Sequence, residues 1–153
     1  MSSVTRSTPS PLSAEILASL PTVFVDRSLG AVQVPALLRA AGLSIVTMRE
    51  HYGEESAQSV TDEDWIRLTA DMGWFGFNKD DAIRRNAVER DTVMATGARL
   101  FCVPSANVTA QLVAARFVGN MGAIAAAAMS EGPYIYAVYT STIRRLVPDA
   151  ERA

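Results

Sequence analysis

Two carboxylates stand where an α/β chain places its chemistry. Asp26 ends the apolar run Val23-Phe24-Val25, and Asp80 comes shortly after the run Trp74-Phe75-Gly76-Phe77. Each run reads as a short buried strand followed by a helix-like segment. Ligands of open parallel sheets bind beyond the carboxyl ends of the strands, so two acids delivered there can converge on one point. Crowded carboxylates repel and raise one another's pKa unless a cation neutralises them. The expected chemistry is therefore that of a divalent-metal site, where a cation acidifies water and offsets phosphoryl charge.

A third acid comes from the run Asp62-Glu63-Asp64. Asp62 is favoured because it lies three residues before Trp65, an apolar anchor for the helix against the sheet. The plain alternative is that Asp62 only caps that helix, and Asp80 has the same alternative for the helix after it. Glu63 and Asp64 read as solvated first-turn acids favoured by the helix dipole. Asp26 is harder to explain structurally, since no turn glycine follows until Gly30. Lys79 precedes Asp80, and Arg84, Arg85 and Arg90 follow on the next helix, where phosphate contact competes with a solvated face. Arg84 and Arg85 point about 100° apart, so at most one faces the site squarely. Asn107, after the fourth strand, is either a helix cap or a neutral ligand acting through water.

The composition narrows the field. The chain has 153 residues, 49% hydrophobic and 20% charged, enough for one domain with a real core. A formal net charge of −2 excludes a simple basic nucleic-acid binder but leaves room for a nuclease. One cysteine, Cys102, and one histidine, His51, argue against a zinc site or a Cys–His catalytic pair. Any metal should be a hard cation held by oxygen. Cys102 reads as a small core residue, and the tryptophans and tyrosines as packing rather than base-stacking platforms. No apolar stretch reaches membrane-spanning length and the N-terminus does not resemble a secretion signal, so a cytoplasmic location without a membrane is expected.

These residues need a frame. Residues 1–20 read as a flexible arm, rich in Ser, Thr and Pro, with one or two helical turns over 14–20. The domain spans 21–148, and 149–153 form a tail. Strands are expected at about 22–26, 43–48, 74–78 and 98–103. Helices are expected at about 29–41, with Ser28 as cap, then 63–72, 81–96 and 108–129. Within 81–96, Ile83, Ala87 and Met94 are inward candidates. Residues 49–61 read as a polar loop, and 135–139 with 143–147 as a C-terminal β-hairpin. The alternation predicts a three-layer α/β/α sandwich around a mainly parallel sheet.

In chain order, the strings FVDRSLG, LRAAG, DEDW, GWFGFNKDDAIRR and GARLFCVPSANVTA resemble the PIN-like nuclease domains of the VapC-related group, over residues 22–147. The resemblance implies a Mg²⁺- or Mn²⁺-dependent ribonuclease, commonly the toxin of a toxin–antitoxin pair that is held by an antitoxin protein and often dimeric. It implies that Asp26, Asp62 and Asp80 hold the metal and carry catalysis, with Lys79, Arg84 and Asn107 contacting RNA. Two departures stand out: Asn78 occupies the place of the usual Thr before Lys79-Asp80, and no fourth acid is evident after the fourth strand, where Asn107 is the nearest candidate. The alternative is a catalytically degenerate PIN-like module acting through protein contact. A phosphoacceptor receiver domain would need an adjacent acid pair after strand one and a late lysine. A haloacid-dehalogenase-type phosphatase would need Asp-x-Asp, which Asp26-Arg27-Ser28 does not supply.

Overall fold

A computed structural model describes residues 12–79, 82–104 and 107–148, without the side chains of Ala82 and Arg84. Six strands form one sheet: β1 (Val23–Val25), β2 (Ile45–Thr47), β3 (Phe75–Lys79), β4 (Arg99–Val103), β5 (Tyr134–Val138) and β6 (Ile143–Val147). Their order is β2-β1-β3-β4-β5-β6, parallel from β2 to β5, with β6 antiparallel to β5. The expected sandwich and its terminal hairpin are both present.

Side chains alternate across the sheet, and the two faces bury separate cores. Val23, Val25, Phe77 and Phe101 pack with Val34, Leu38, Val113 and Phe117 on one face. Phe24, Leu100 and Cys102 pack with Trp65, Ile66, Ile83 and Val93 on the other. The first face is covered by α2 (Gln33–Ala40), α7 (Ala110–Gly119) and α8 (Met121–Ala127). The second is covered by α4 (Asp62–Met72), α5 (Ala82–Arg85) and α6 (Ala87–Thr96). The short α1 (Ala14–Ser19) lays Ile16 and Leu17 against the first core. β1 has β2 on one side and β3 on the other, so the chain reverses its direction of winding at β1 and opens a crevice at the strand ends there.

Several elements differ from expectation for local reasons. The segment read as a polar loop contains α3 (Met48–Tyr52) and a 3₁₀ turn over Ser56–Ser59. Thr47 and Glu50 form a reciprocal capping box that starts α3, a four-residue pattern the sequence does carry. The helix expected from 29 begins at Gln33, because Asp26 rather than Ser28 acts as a cap, and it caps a 3₁₀ turn over Arg27–Leu29. Asn86 leaves the helical conformation and its side chain accepts the Glu89 amide, splitting the expected 81–96 helix into α5 and α6. That break resets the helical phase: Val93 is buried, whereas Ala87 and Met94 are exposed. Asn120 splits the last helix with a 57° bend, its amide donating to the Arg116 and Tyr139 carbonyls. Among the described residues no single helix is long and apolar enough to cross a membrane.

Candidate active site

Asp26 leaves β1 in extended conformation, so it keeps the side-chain direction of Phe24 and faces α4 and α6. Its amide donates to the Phe77 carbonyl at 3.0 Å, which fixes it beside the end of β3. The residue is only 6% exposed. Oδ2 accepts from the Ser28 amide at 3.2 Å, whereas Oδ1 is buried with no hydrogen-bond partner among the described residues. A buried acceptor without a donor costs free energy that a cation would recover. Burial raises the carboxyl's pKa, the Ser28 contacts oppose that, and the charge of Asp62 adds to it.

Asp62 is the first residue of α4 but does not cap it. Thr61 does, in a reciprocal capping box with Asp64. The Asp62 side chain is instead held by Trp65, whose Nε1 donates to Oδ1 at 2.8 Å. Trp65 is fully buried and stacked on Phe24 at 5.8 Å between ring centroids, so the core aims Asp62 at the end of β1.

A third acid of the cluster, Glu89, was not anticipated. It lies on α6, which packs against α4. Its carboxyl is pushed up to about 7, first by burial and then by the charge of Asp62 and a hydrogen bond to it, with Glu63 and Asp26 adding repulsion. Two carboxyls hydrogen-bond only when one holds a proton, and the raised value makes Glu89, in its protonated form, the donor to Asp62. The signal lay in Asn86-x-x-Glu89, which starts a helix there and turns Glu89 toward α4; a continuous 81–96 helix concealed it.

The other expected residues divide. Asp80 lies outside the described residues, as does the Arg84 side chain, whose backbone belongs to α5. Lys79 ends β3, half-buried, and its amide donates to Ser28 Oγ at 3.0 Å, tying the β3 end to the loop after β1. Asn78 is buried in β3, one position past Phe77, the register partner of Val25. Asn107 is exposed and does not cap the last helix pair; Thr109 does. Among the described residues, which omit Asp80, no three acid, histidine or cysteine side chains form a ready chelate. The hard oxygen donors present and the unpartnered Asp26 Oδ1 nonetheless suit a divalent cation.

Residues 21–105 match the family model of the PIN like domain. The chain is 61% identical over 132 residues to a protein of Mycobacterium tuberculosis (strain ATCC 25618 / H37Rv) named "Putative ribonuclease VapC45", covering 86% of this chain and 96% of that relative. No solved structure matches the chain.

Proposed function

We propose, from the premise that this chain belongs to the PIN-like domain family and its VapC-related group, that it is a metal-dependent ribonuclease that hydrolyses RNA phosphodiesters. The single observation that carries this reading is Asp26: a carboxylate at the end of β1, buried, short of a partner on Oδ1 among the described residues, and facing the acids of α4 and α6.

In this reading Asp26, Asp62 and Asp80 hold Mg²⁺ or Mn²⁺. The cation, when bound, supplies an acidified water and positive charge for the phosphate. The chain's own residues do the rest. The Asp26 amide bond to β3 and the Trp65 bond to Asp62 fix two carboxylates before substrate arrives, so little reorganisation is left for the reaction. Glu89, its carboxyl pushed up to about 7, hydrogen-bonds Asp62 in its protonated form and gives up that proton more readily when positive charge enters the cluster. Lys79, Arg84 and Asn107 are assigned to the RNA backbone, where positive and neutral donors position phosphates without reading sequence.

The VapC likeness supports a toxin of a toxin–antitoxin pair, restrained by an antitoxin protein, with RNA as substrate. We assign it to the cytoplasm, without a membrane partner and with a homodimer as working state. Titration of Mn²⁺ into the protein by calorimetry tests the site: binding that Asp26→Asn weakens at least tenfold supports it. Equal affinity in the two proteins would remove Asp26 from the metal set.

A further inference from the structure

We propose that the cleft beside Asp26 holds the nucleotide adjacent to the scissile phosphate of a single-stranded RNA, with Arg49 as its cationic contact. This rests on the ribonuclease reading and adds a substrate subsite to it. The cleft has a volume of about 260 Å³ and lies at the ends of β1 and β2, lined by Val25 and Arg27 on either side of Asp26 in sequence. Asp26 itself turns toward α4 and α6 and does not line the cleft, so the neighbouring nucleotide of a strand held at Asp26 would cross the end of β1 to enter this opening.

The lining suits an unstacked nucleotide. Ala31 and Ala57 give the opening its apolar surface, with Val25 and Met48 almost wholly buried at its floor. Gly30 contributes no side chain, and a Cβ placed there would meet nothing within 4 Å, so the loop after β1 leaves the space open. Single-stranded RNA is recognised by such splayed bases, packed on side chains or on guanidinium planes.

The two arginines of the cleft have different duties. Arg27 is committed to structure: its guanidinium donates to the Gln58 carbonyl at 3.2 Å and to the Val60 carbonyl, which holds the 3₁₀ turn over Ser56–Ser59 as a wall. Arg49 is exposed on α3 and has no ion-pair partner among the described residues. The acid next to it in sequence is unavailable, because Glu50 is bound to Arg39 at 2.6 Å and to the Thr47 amide at 2.9 Å. Two arginines against Glu54 leave the lining with a formal charge of +1, although the whole chain carries −2. A local positive spot on an acidic protein marks where a polyanion is tolerated.

The test uses a fluorescein-labelled mixed-sequence single-stranded RNA. Binding is followed by anisotropy in EDTA, and cleavage by gel in Mn²⁺. Three variants of the full chain are compared: Arg49→Ala, Ala31→Trp, which fills the cleft from an exposed lining position, and Arg67→Ala, which removes a charge from the exposed side of α4. The expected result is at least fivefold weaker RNA binding and higher KM for the first two, kcat within twofold, and Arg67→Ala within twofold of wild type throughout. Arg49→Ala and Ala31→Trp that bind no worse than Arg67→Ala would overturn the subsite while leaving the ribonuclease reading intact. Wild-type protein that neither binds nor cuts the RNA would overturn that reading, and the subsite with it.

Discussion

Burial and neighbouring negative charge push the carboxyls of both Asp26 and Glu89 above their ordinary values. Glu89 moves from an ordinary glutamate value of 4.5 to about 7, chiefly through burial and the Asp62 charge. The folded state therefore binds more protons than the unfolded chain between these values. Stability falls as pH rises through that window, and the whole penalty is present above about 7. Glu89→Gln removes the titration while keeping a donor for Asp62. Melting curves from pH 4 to pH 8 should show wild type losing stability across the window, and Glu89→Gln losing less and melting higher at pH 8. A variant that melts lower than wild type at pH 8 would contradict the cluster. Asp26, also raised, should behave alike: Asp26→Asn is expected to melt no lower than wild type at neutral pH while losing cleavage. Asp26 and Asp62, expected from the sequence, lie close enough for their charges to interact, whereas Asp80 lies outside the described residues. Glu89 was not expected, because its role depends on a helix break at Asn86 that brings α6 against α4.

At the scale of elements, the acids depend on how helices begin and how they seat on the sheet. Thr47 starts α3 and so places Arg49 at the cleft. Thr47→Ala removes one half of the capping box and should cost about 1 kcal/mol in urea unfolding, with RNA affinity falling toward that of Arg49→Ala. Gly76 has a sharper role. A Cβ there would lie 2.8 Å from Trp65 Cζ3 and 2.6 Å from Leu100 Cδ2, so only glycine lets Trp65 reach the sheet and hold Asp62. Gly76→Ala should destabilise by roughly 1–3 kcal/mol and lower cleavage, although it touches no acid; unchanged activity would separate Trp65 seating from the site. Strand positions were readable because short apolar runs bounded by turns leave few alternatives. Helix bounds were less so, since Thr47, Asn86 and Asn120 act through side-chain bonds to backbone that periodicity does not register. The α2 start shifted for the same reason, its loop being fixed by Asp26.

For the whole molecule, the architecture expected from alternating strands and helices is the one observed, and the winding reversal at β1 explains why the acids gather there rather than at β4 or β5. The fold thus confines its least favourable electrostatics to one edge. A divalent cation binding only the folded state should recover part of that cost: Mn²⁺ at about 100 times its Kd stabilises by about 2.7 kcal/mol, or roughly 5–10 °C in Tm for a chain of this size. The increment should shrink in Asp26→Asn. The most direct test of the central claim is cleavage of a mixed panel of structured and single-stranded RNAs by purified, partner-free protein in Mn²⁺ or Mg²⁺, against EDTA and against folded Asp26→Asn and Asp80→Asn. The account predicts cleavage that disappears with the metal and with either carboxylate. Cleavage that persists in both variants would contradict the assigned site, and its absence from folded wild-type protein with metal would favour a degenerate protein-interaction module.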